Sequence, residues 1–342
     1  MATVQQYRDA AKTRLREVLD QQLAVVKPEA LARLSEANFR SAGGNIDPHH
    51  VGAALAELIT AGEIVTKTET SKGGHRITTY APADQWKRRT AVQAAEARKR
   101  ALYARYQGWA QGSVRYPEGL IGPAGEAATR SGVIDSAALQ PAQPGAGGFN
   151  TILGTRLPGP VDTGGFMTWF KGNIPQPPVT VLIEVKNIRQ WIYPNSSELY
   201  QVLHKGVVLQ QAHPAAPIVP ILVCRAAHPT TFFMAKQLGF AMIAMGRQFV
   251  GDVDEAVLDE VRNELHFNDL HVGSGPSLRV RDRLRSMVTY IPRAAGTWQA
   301  SALDDEEARL ISMLRNARST DREPLLNQLR QRDLDLGGQG GW

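Results

Sequence analysis

The stretch PPVTVLIEVKNIRQW, residues 177–191, decides how this chain is read. From Val179 to Val185 it reads as a strand buried on both faces. Glu184 and Lys186 enter its end two residues apart. Side chains alternate along a strand, so residues i and i+2 leave the sheet on the same side. An acid and a base therefore emerge together from the end of a hydrophobic strand. Such a pair is either a strand-end ion pair or part of an active site.

The neighbouring sequence extends the strand into an α/β (α+β) pattern. GPVDTGGFMTWF, from Gly159, reads as an adjacent strand with Asp162 near its start. SSELYQVLHKGVVLQQA reads as a helix capped by Ser196 or Ser197. PIVPILVCRAA is a further strand, PTTFFMAKQLG a helix, and FAMIAMGRQFV a last strand. That alternation predicts a mixed sheet with flanking helices. Upstream, GPAGEAATRSGVI places Glu126 at the start of a helix. LQPAQPGAGGFN is a Gly- and Pro-rich loop without the Lys-Ser/Thr of a phosphate loop, so nucleotide hydrolysis has no support. GTRLPGP reads most simply as a turn.

Helix–Glu, strand–Asp, strand–Glu-x-Lys, then helix, strand, helix, strand resembles the PD-(D/E)XK (restriction endonuclease-like) nuclease superfamily over residues 118–250. GPVD and EVK stand for the two parts of its motif, and Asn187 extends the second. The chain departs from the pattern in having Val161 between Pro160 and Asp162. The resemblance implies a Mg²⁺-dependent phosphodiesterase, with Mn²⁺ as a substitute. Asp162, Glu184, the Val185 carbonyl and Glu126 would be its metal ligands. Lys186 would serve the attacking water, and Gln201, on the following helix one turn before Lys205, would support the site. The chemistry is consistent with the residue types, because carboxylates are the hard oxygen donors that Mg²⁺ prefers. A bound metal lowers the pKa of its water and neutralises developing charge.

The N-terminal third has another character. PEALARLSEAN opens on Pro28 in a position that suits a helix start. SAGGN breaks the helix. IDPHHVGAALAELITAGEI offers Asp47 as N-cap, Pro48 at the first helical position and Gly62 past the last turn. EIVTKTET and HRITTYAP, around SKGG, predict a hairpin. Over residues 28–82 this order resembles a winged helix-turn-helix. The resemblance implies a recognition helix from Asp47 and a DNA-binding wing carrying Lys67, Lys72, His75 and Arg76. A long basic helical stretch follows, with Lys87, Arg88, Arg89, Arg98, Lys99, Arg100 and Arg105.

The expected organisation is thus an N-terminal helix and winged helix over 1–82, a basic helical linker over 83–117, a nuclease core over 118–250, and a helical region over 251–342 ending in a frayed GGQGGW. LRVRDRLR in that last region is either a basic strand or a helix with a solvated face. HFNDLH, with His266, Asp269 and His271, lacks the second motif of a ββα metal nuclease. Charge agrees with a polyanionic partner, double-stranded DNA. Residues 1–111 carry 17 Lys and Arg against 11 Asp and Glu, whereas the stretch after residue 250 carries 12 against 16. The single cysteine, Cys224, excludes an internal disulfide and a thiolate zinc cluster and suits a reducing cytoplasm. No run reaches membrane-span length. The expected role is a restriction or phage-defence endonuclease, acting as a homodimer where both strands are cut. The alternatives are a repair or recombination nuclease on branched or damaged DNA, or a non-catalytic winged-helix regulator.

Overall fold

The computed structural model describes residues 3–36, 46–84, 88–142, 149–273, 275–339 and 342. The SAGGN segment and Lys87 lie outside the described residues. The protein is mixed α/β, and its chain divides into two units: Met1–Leu120 with Asp252–Val272, and Ile121–Gly251 with Gly273–Trp342.

The first unit begins with α1 (Val4–Gln22), β1 (Val25–Val26) and α2 (Lys27–Leu31), which runs on as a π-helical turn over Ala32–Glu36. It continues with α3 (Pro48–Thr60), β2 (Ile64–Thr70), β3 (Arg76–Pro82) and α4 (Arg89–Gln111). The second holds α5 (Ile121–Ser136), β4 (Gln140–Pro141), β5 (Phe149–Ile152), β6 (Thr155–Val161), β7 (Thr163–Met167) and a small hairpin of β8 (Phe170–Lys171) and β9 (Ile174–Pro175). Next come β10 (Val179–Lys186), α6 (Ser197–Ala212), β11 (Ile218–Cys224), α7 (Pro229–Leu238), β12 (Ala241–Ala244) and β13 (Gln248–Val250). The chain then gives α8 (Glu255–Glu264) and β14 (Leu270–Val272) to the first unit. The second unit closes with α9 (Leu278–Met287), α10 (Ile291–Leu303), α11 (Asp305–Asn316) and α12 (Ser319–Asp335). This partition differs from the expected segments 83–117 and 251–342: α4 belongs to the first unit, and the region after residue 250 is shared between the two.

In the first unit, the Asp47 carboxylate accepts the His49 N–H at 2.7 Å, Pro48 opens α3, and Gly62 follows it at φ +72°. These are the start and stop signals of the sequence acting as local chemistry. Val51, Ala54, Leu55 and Leu58 of α3 pack with Leu15 and Leu19 of α1. The three strands take the order β1-β3-β2, antiparallel throughout. A buried ion cluster ties α2 to α4: Lys99 meets Glu29 at 2.7 Å and the Glu264 carbonyl at 2.6 Å, and Arg33 meets Glu29 at 2.9 Å. Burial pushes the pKa of Glu29 up, and Lys99 and Arg33 hold it back.

The second unit is organised on a five-stranded sheet in the order β12-β11-β10-β7-β4. β12, β11 and β10 are parallel, and β7 and β4 are added antiparallel. Every side chain of β10 from Val179 to Val185 is buried, as a central strand requires. Val181, Ile183 and Val185 join a core with Ala124 and Ala128 of α5 and Val280 and Leu284 of α9. Leu182 faces the other way, into a core with Leu199 and Leu203 of α6 and Ile311 of α11. Glu184 and Lys186 share the parity of Leu182, so they stand on the α6 side of the sheet.

Three sequence expectations change in the structure, and one alternative left open, for LRVRDRLR, is decided. TRLPGPV is strand β6 rather than a turn. Among the described residues it pairs only with β5, with a register shift between Phe149 and Thr151, which tolerates Pro158 and Pro160. FAMIAMGRQFV is two strands, separated where Gly246 takes φ +67°. LRVRDRLR is helix α9, with Val280 and Leu284 inward. Trp342 is not frayed: it is 5% exposed, and its indole N–H donates to Asp333 at 3.3 Å. No helix among the described residues is long and apolar enough to cross a membrane.

Candidate functional site

Asp162 sits in the one-residue gap between β6 and β7, and β7 lies beside β10. Its N–H donates to the Ile183 carbonyl at 3.1 Å, and its Oδ2 accepts the Val185 N–H at 2.6 Å. The carboxylate is therefore hooked to the residue between Glu184 and Lys186. The two halves of the predicted motif meet through the β7–β10 register, although 22 residues separate Asp162 from Glu184 in the chain.

Glu184 is buried and holds two ammonium groups. Lys186 Nζ donates to Oε1 at 2.9 Å, and Lys205 Nζ donates to Oε2 at 2.6 Å. Lys205 comes from α6, is 6% exposed, and also donates to the Pro160 carbonyl at 2.5 Å. It ties α6 at once to β10 and to the residue two before Asp162. Burial first, then the negative charges of Glu184 and Glu126, lift the Asp162 carboxyl to about 6, from 3.8 for a free side chain. The Val185 N–H and Lys186 act in the opposite direction without overcoming them.

Glu126 lies on α5, half-buried, and pairs with Arg130 at 3.3 Å. It reaches the site through its field on Asp162. Gln201 is also half-buried, and among the described residues it makes no hydrogen bond to Asp162, Glu184 or Lys186. The α6 residue that engages the acid is Lys205. A lysine embedded in the apolar run VLHKGVVL, four residues beyond Gln201 and so on the same helix face, was the signal for it. Asn187 is a clamp. Its Nδ2 donates to the Ile121 and Phe249 carbonyls, each at 2.6 Å, and its Oδ1 accepts the Phe249 N–H at 3.1 Å. Gly125 permits this, since a Cβ there would lie 2.4 Å from that of Asn187.

Among the described residues no three His, Cys, Asp or Glu side chains form a metal-binding cluster, HFNDLH included. The donors at the site are the oxygens of Asp162 and Glu184, with Glu126 nearby. Mg²⁺ characteristically uses one or two carboxylates and fills its sphere with water and phosphate oxygens. Asp162, whose carboxyl is raised by burial and uncompensated negative charge, is the kind of group a divalent cation would discharge. The donor chemistry fits such an ion. Cys224, in contrast, is a packed strand thiol that burial pushes up to about 12.

Comparison of the chain with protein-family models, curated proteins and solved structures gives no match.

On the β2–β3 hairpin, Lys72 and Arg76 are exposed, and neither side chain has an ion pair among the described residues. Lys67 is tied to Glu69 at 2.6 Å. His75 is half-buried over the turn, and its enclosed Nε2 has no hydrogen-bond partner among the described residues. The helix expected to read bases, α3, contains no Lys, Arg, Asn or Gln, and its Glu57 meets Lys12 at 3.1 Å. The basic face expected of α4 is largely spent on acids: Arg88 on Asp20, Arg98 on Glu264, Lys99 on Glu29, Arg100 on Glu69 and Arg105 on Glu260.

Proposed function

We propose that the second unit is a PD-(D/E)XK-type nuclease core hydrolysing phosphodiester bonds in DNA, and that the first unit, winged-helix-like, supplies DNA contacts. The observation that carries this reading is the Asp162–Val185 hydrogen bond. It places one carboxylate against the strand end that bears Glu184 and Lys186. A stability role alone does not call for a carboxyl raised to about 6 beside two further acids.

Asp162 and Glu184 would hold Mg²⁺ or Mn²⁺, with Glu126 adding negative charge and the Val185 carbonyl as a further oxygen. When bound, the ion supplies charge neutralisation at the phosphate and an acidified water. Lys205, anchored on the Pro160 carbonyl and Glu184 Oε2, fixes that carboxylate's position. Lys186, more exposed than Lys205, is the ammonium able to turn from Glu184 toward a water or phosphate oxygen. The first unit would bind the DNA backbone through Lys72 and Arg76. With α3 lacking the Arg, Lys, Asn and Gln that make bidentate base contacts, it contributes affinity more than sequence readout. A restriction or defence enzyme, working as a homodimer for double-strand cuts, is the biological setting this chemistry suits.

A second reading has its own support. Both Glu184 oxygens already carry lysines and no three-acid cluster is present among the described residues, as in a DNA-binding regulator whose core is held by a Lys–Glu–Lys ion pair. Plasmid cleavage with purified protein in Mg²⁺ and in EDTA separates the two. Metal-dependent nicking that disappears in Asp162→Asn supports the nuclease. Its absence at all metal concentrations, with duplex binding retained, favours the regulator.

A further inference from the structure

A cleft of about 270 Å³ opens at the β12 edge of the five-stranded sheet, between α7, α9 and α10. Phe232 and Lys236 enter it from α7, and Phe240 from just after that helix. Arg283 comes from α9, Tyr290 from the residue before α10, and Arg293 from α10. No acidic side chain lines it.

Lys236, Arg283 and Arg293 are exposed, and among the described residues none of their side chains has an ion pair or hydrogen bond. On the same helix α9, two of the other three arginines are engaged, and Arg279, which does not line the cleft, is exposed. Arg281 pairs with Asp282 at 2.7 Å, and Arg285 donates to the Ser136 and Asp135 carbonyls at 3.0 and 2.8 Å. Three like charges around one concavity repel, so this arrangement contributes nothing to the stability of the free chain. It becomes favourable when an anion sits among them. The N-terminus of α10 adds to the positive field, and Tyr290, its N-cap, gives no side-chain cap to its N–H groups.

The remaining wall is mostly apolar, and its two large exposed side chains are aromatic. Phe232 is 37% exposed and Tyr290 39% exposed, and among the described residues neither ring stacks on another. Arg283 lies close enough to Tyr290 to act on its phenol, whose pKa burial raises. An inorganic anion would leave both rings wet, and an apolar ligand would leave three cations unanswered. The volume lies just below the roughly 300–1,000 Å³ of typical ligand sites, so the cleft holds a small ligand. It suits one planar heterocycle with one phosphate.

We propose that this cleft binds a single nucleotide unit, its phosphate among Lys236, Arg283 and Arg293 and its base against Phe232 and Tyr290. The unit is either a free mononucleotide or one residue of a single strand, and the chemistry of recognition is the same. The site is distinct from the carboxylates. Met242 of β12 stands in register with Leu222, and Leu222 with Glu184, so two strand spacings, about 10 Å, intervene. The proposal does not rest on nuclease activity.

The test uses the full chain in EDTA, with binding read by calorimetry for dAMP, deoxyadenosine and inorganic phosphate. Fluorescence anisotropy reads a labelled single-stranded oligothymidine. dAMP should bind about tenfold or more tightly than either deoxyadenosine or inorganic phosphate. Arg283→Gln with Arg293→Gln should weaken it by about 100-fold, and Tyr290→Ala by about tenfold. These positions are exposed, and an unchanged melting temperature verifies folding. Lys171→Ala, at an exposed cation on the β8–β9 hairpin, should leave dAMP affinity unchanged. Binding of the oligothymidine but not dAMP, abolished by the same arginine pair, supports the proposal with a strand as the source. Phosphate binding as tight as dAMP overturns the nucleotide assignment. No binding of any probe, or wild-type affinity in the double arginine variant, overturns the site.

Discussion

Replacing Asp162 by asparagine tests the candidate site through stability as well as activity. In the folded chain the Asp162 carboxyl titrates at about 6, against 3.8 when free, because burial and the charges of Glu184 and Glu126 disfavour its anion. A shift of about two units corresponds to up to about 3 kcal/mol. The sign follows from linkage. A carboxyl with a raised folded-state pKa favours the fold when protonated, so its contribution is complete below about pH 4 and is lost as pH rises through about 6. Above that pH the wild-type protein carries a buried charge that the Asp162→Asn variant does not. The amide oxygen of the variant side chain still accepts the Val185 N–H, which now bonds at 2.6 Å. Asp162→Asn should therefore be no more stable than wild type at pH 4 and up to about 3 kcal/mol more stable at pH 8. For a unit of this size that is a rise in melting temperature of about 6–12 °C.

Thermal denaturation from pH 4 to 8, with and without Mg²⁺, reads the effect directly. Mg²⁺ should raise the wild-type melting temperature at pH 8, since a ligand that binds only the native state stabilises it, and should leave Asp162→Asn unmoved. Cleavage should vanish in the variant. A variant less stable than wild type at pH 8 would refute the electrostatic account of Asp162. Equal Mg²⁺ responses in the two proteins would remove it from the metal site.

Other substitutions separate the neighbouring roles. Lys186→Ala should fold normally, since Glu184 keeps Lys205, and lose cleavage by about 10²–10⁴-fold in a single-turnover assay. Lys205→Met should instead lower stability by about 3 kcal/mol in denaturant unfolding, because it removes the buried ammonium that holds both Glu184 and the Pro160 carbonyl. Glu307 is raised to about 7, chiefly by burial, with Asp304 and Asp333 adding to it. Glu307→Gln should abolish a loss of stability that the wild type shows as pH rises from about 4.5 through 7, measured as melting temperature against pH. Lys72→Ala with Arg76→Ala should reduce the salt dependence of duplex binding by about two counterions in a titration of log Kd against log salt.

Local signals were legible where a few adjacent residues carry them. Asp47, Pro48 and Gly62 delimit α3, and the apolar run 179–183 with its polar end identifies a central strand and the side on which Glu184 and Lys186 emerge. What was not legible depends on partners far along the chain. TRLPGPV looks like a turn because of its prolines, and becomes a strand only because β5 pairs with it on one side. The basic residues of α4 look like a binding face, and are consumed by Asp20, Glu29, Glu69, Glu260 and Glu264. Trp342, behind a Gly-rich tail, folds back onto Asp333. Lys205 was visible as an oddity in an apolar helix, but its target was not, since helix periodicity says nothing about which strand end lies beneath it.

The contrast between Lys186 and Lys205 bears on why this corner of the sheet is built as it is. A strand-end ion pair needs one lysine for one glutamate, and Lys205, buried and anchored also on the Pro160 carbonyl, is sufficient for Glu184. Lys186 is then surplus to neutralising that acid, and its side chain is 20% exposed where that of Lys205 is 7%. Asp162 has the opposite imbalance, a carboxyl raised by burial and like-charged neighbours that the Val185 N–H and the field of Lys186 do not offset. A surplus, more exposed ammonium beside an undercompensated carboxylate is poorly arranged for stability. On the nuclease reading proposed above, the carboxylate would take the cation and the ammonium the phosphate.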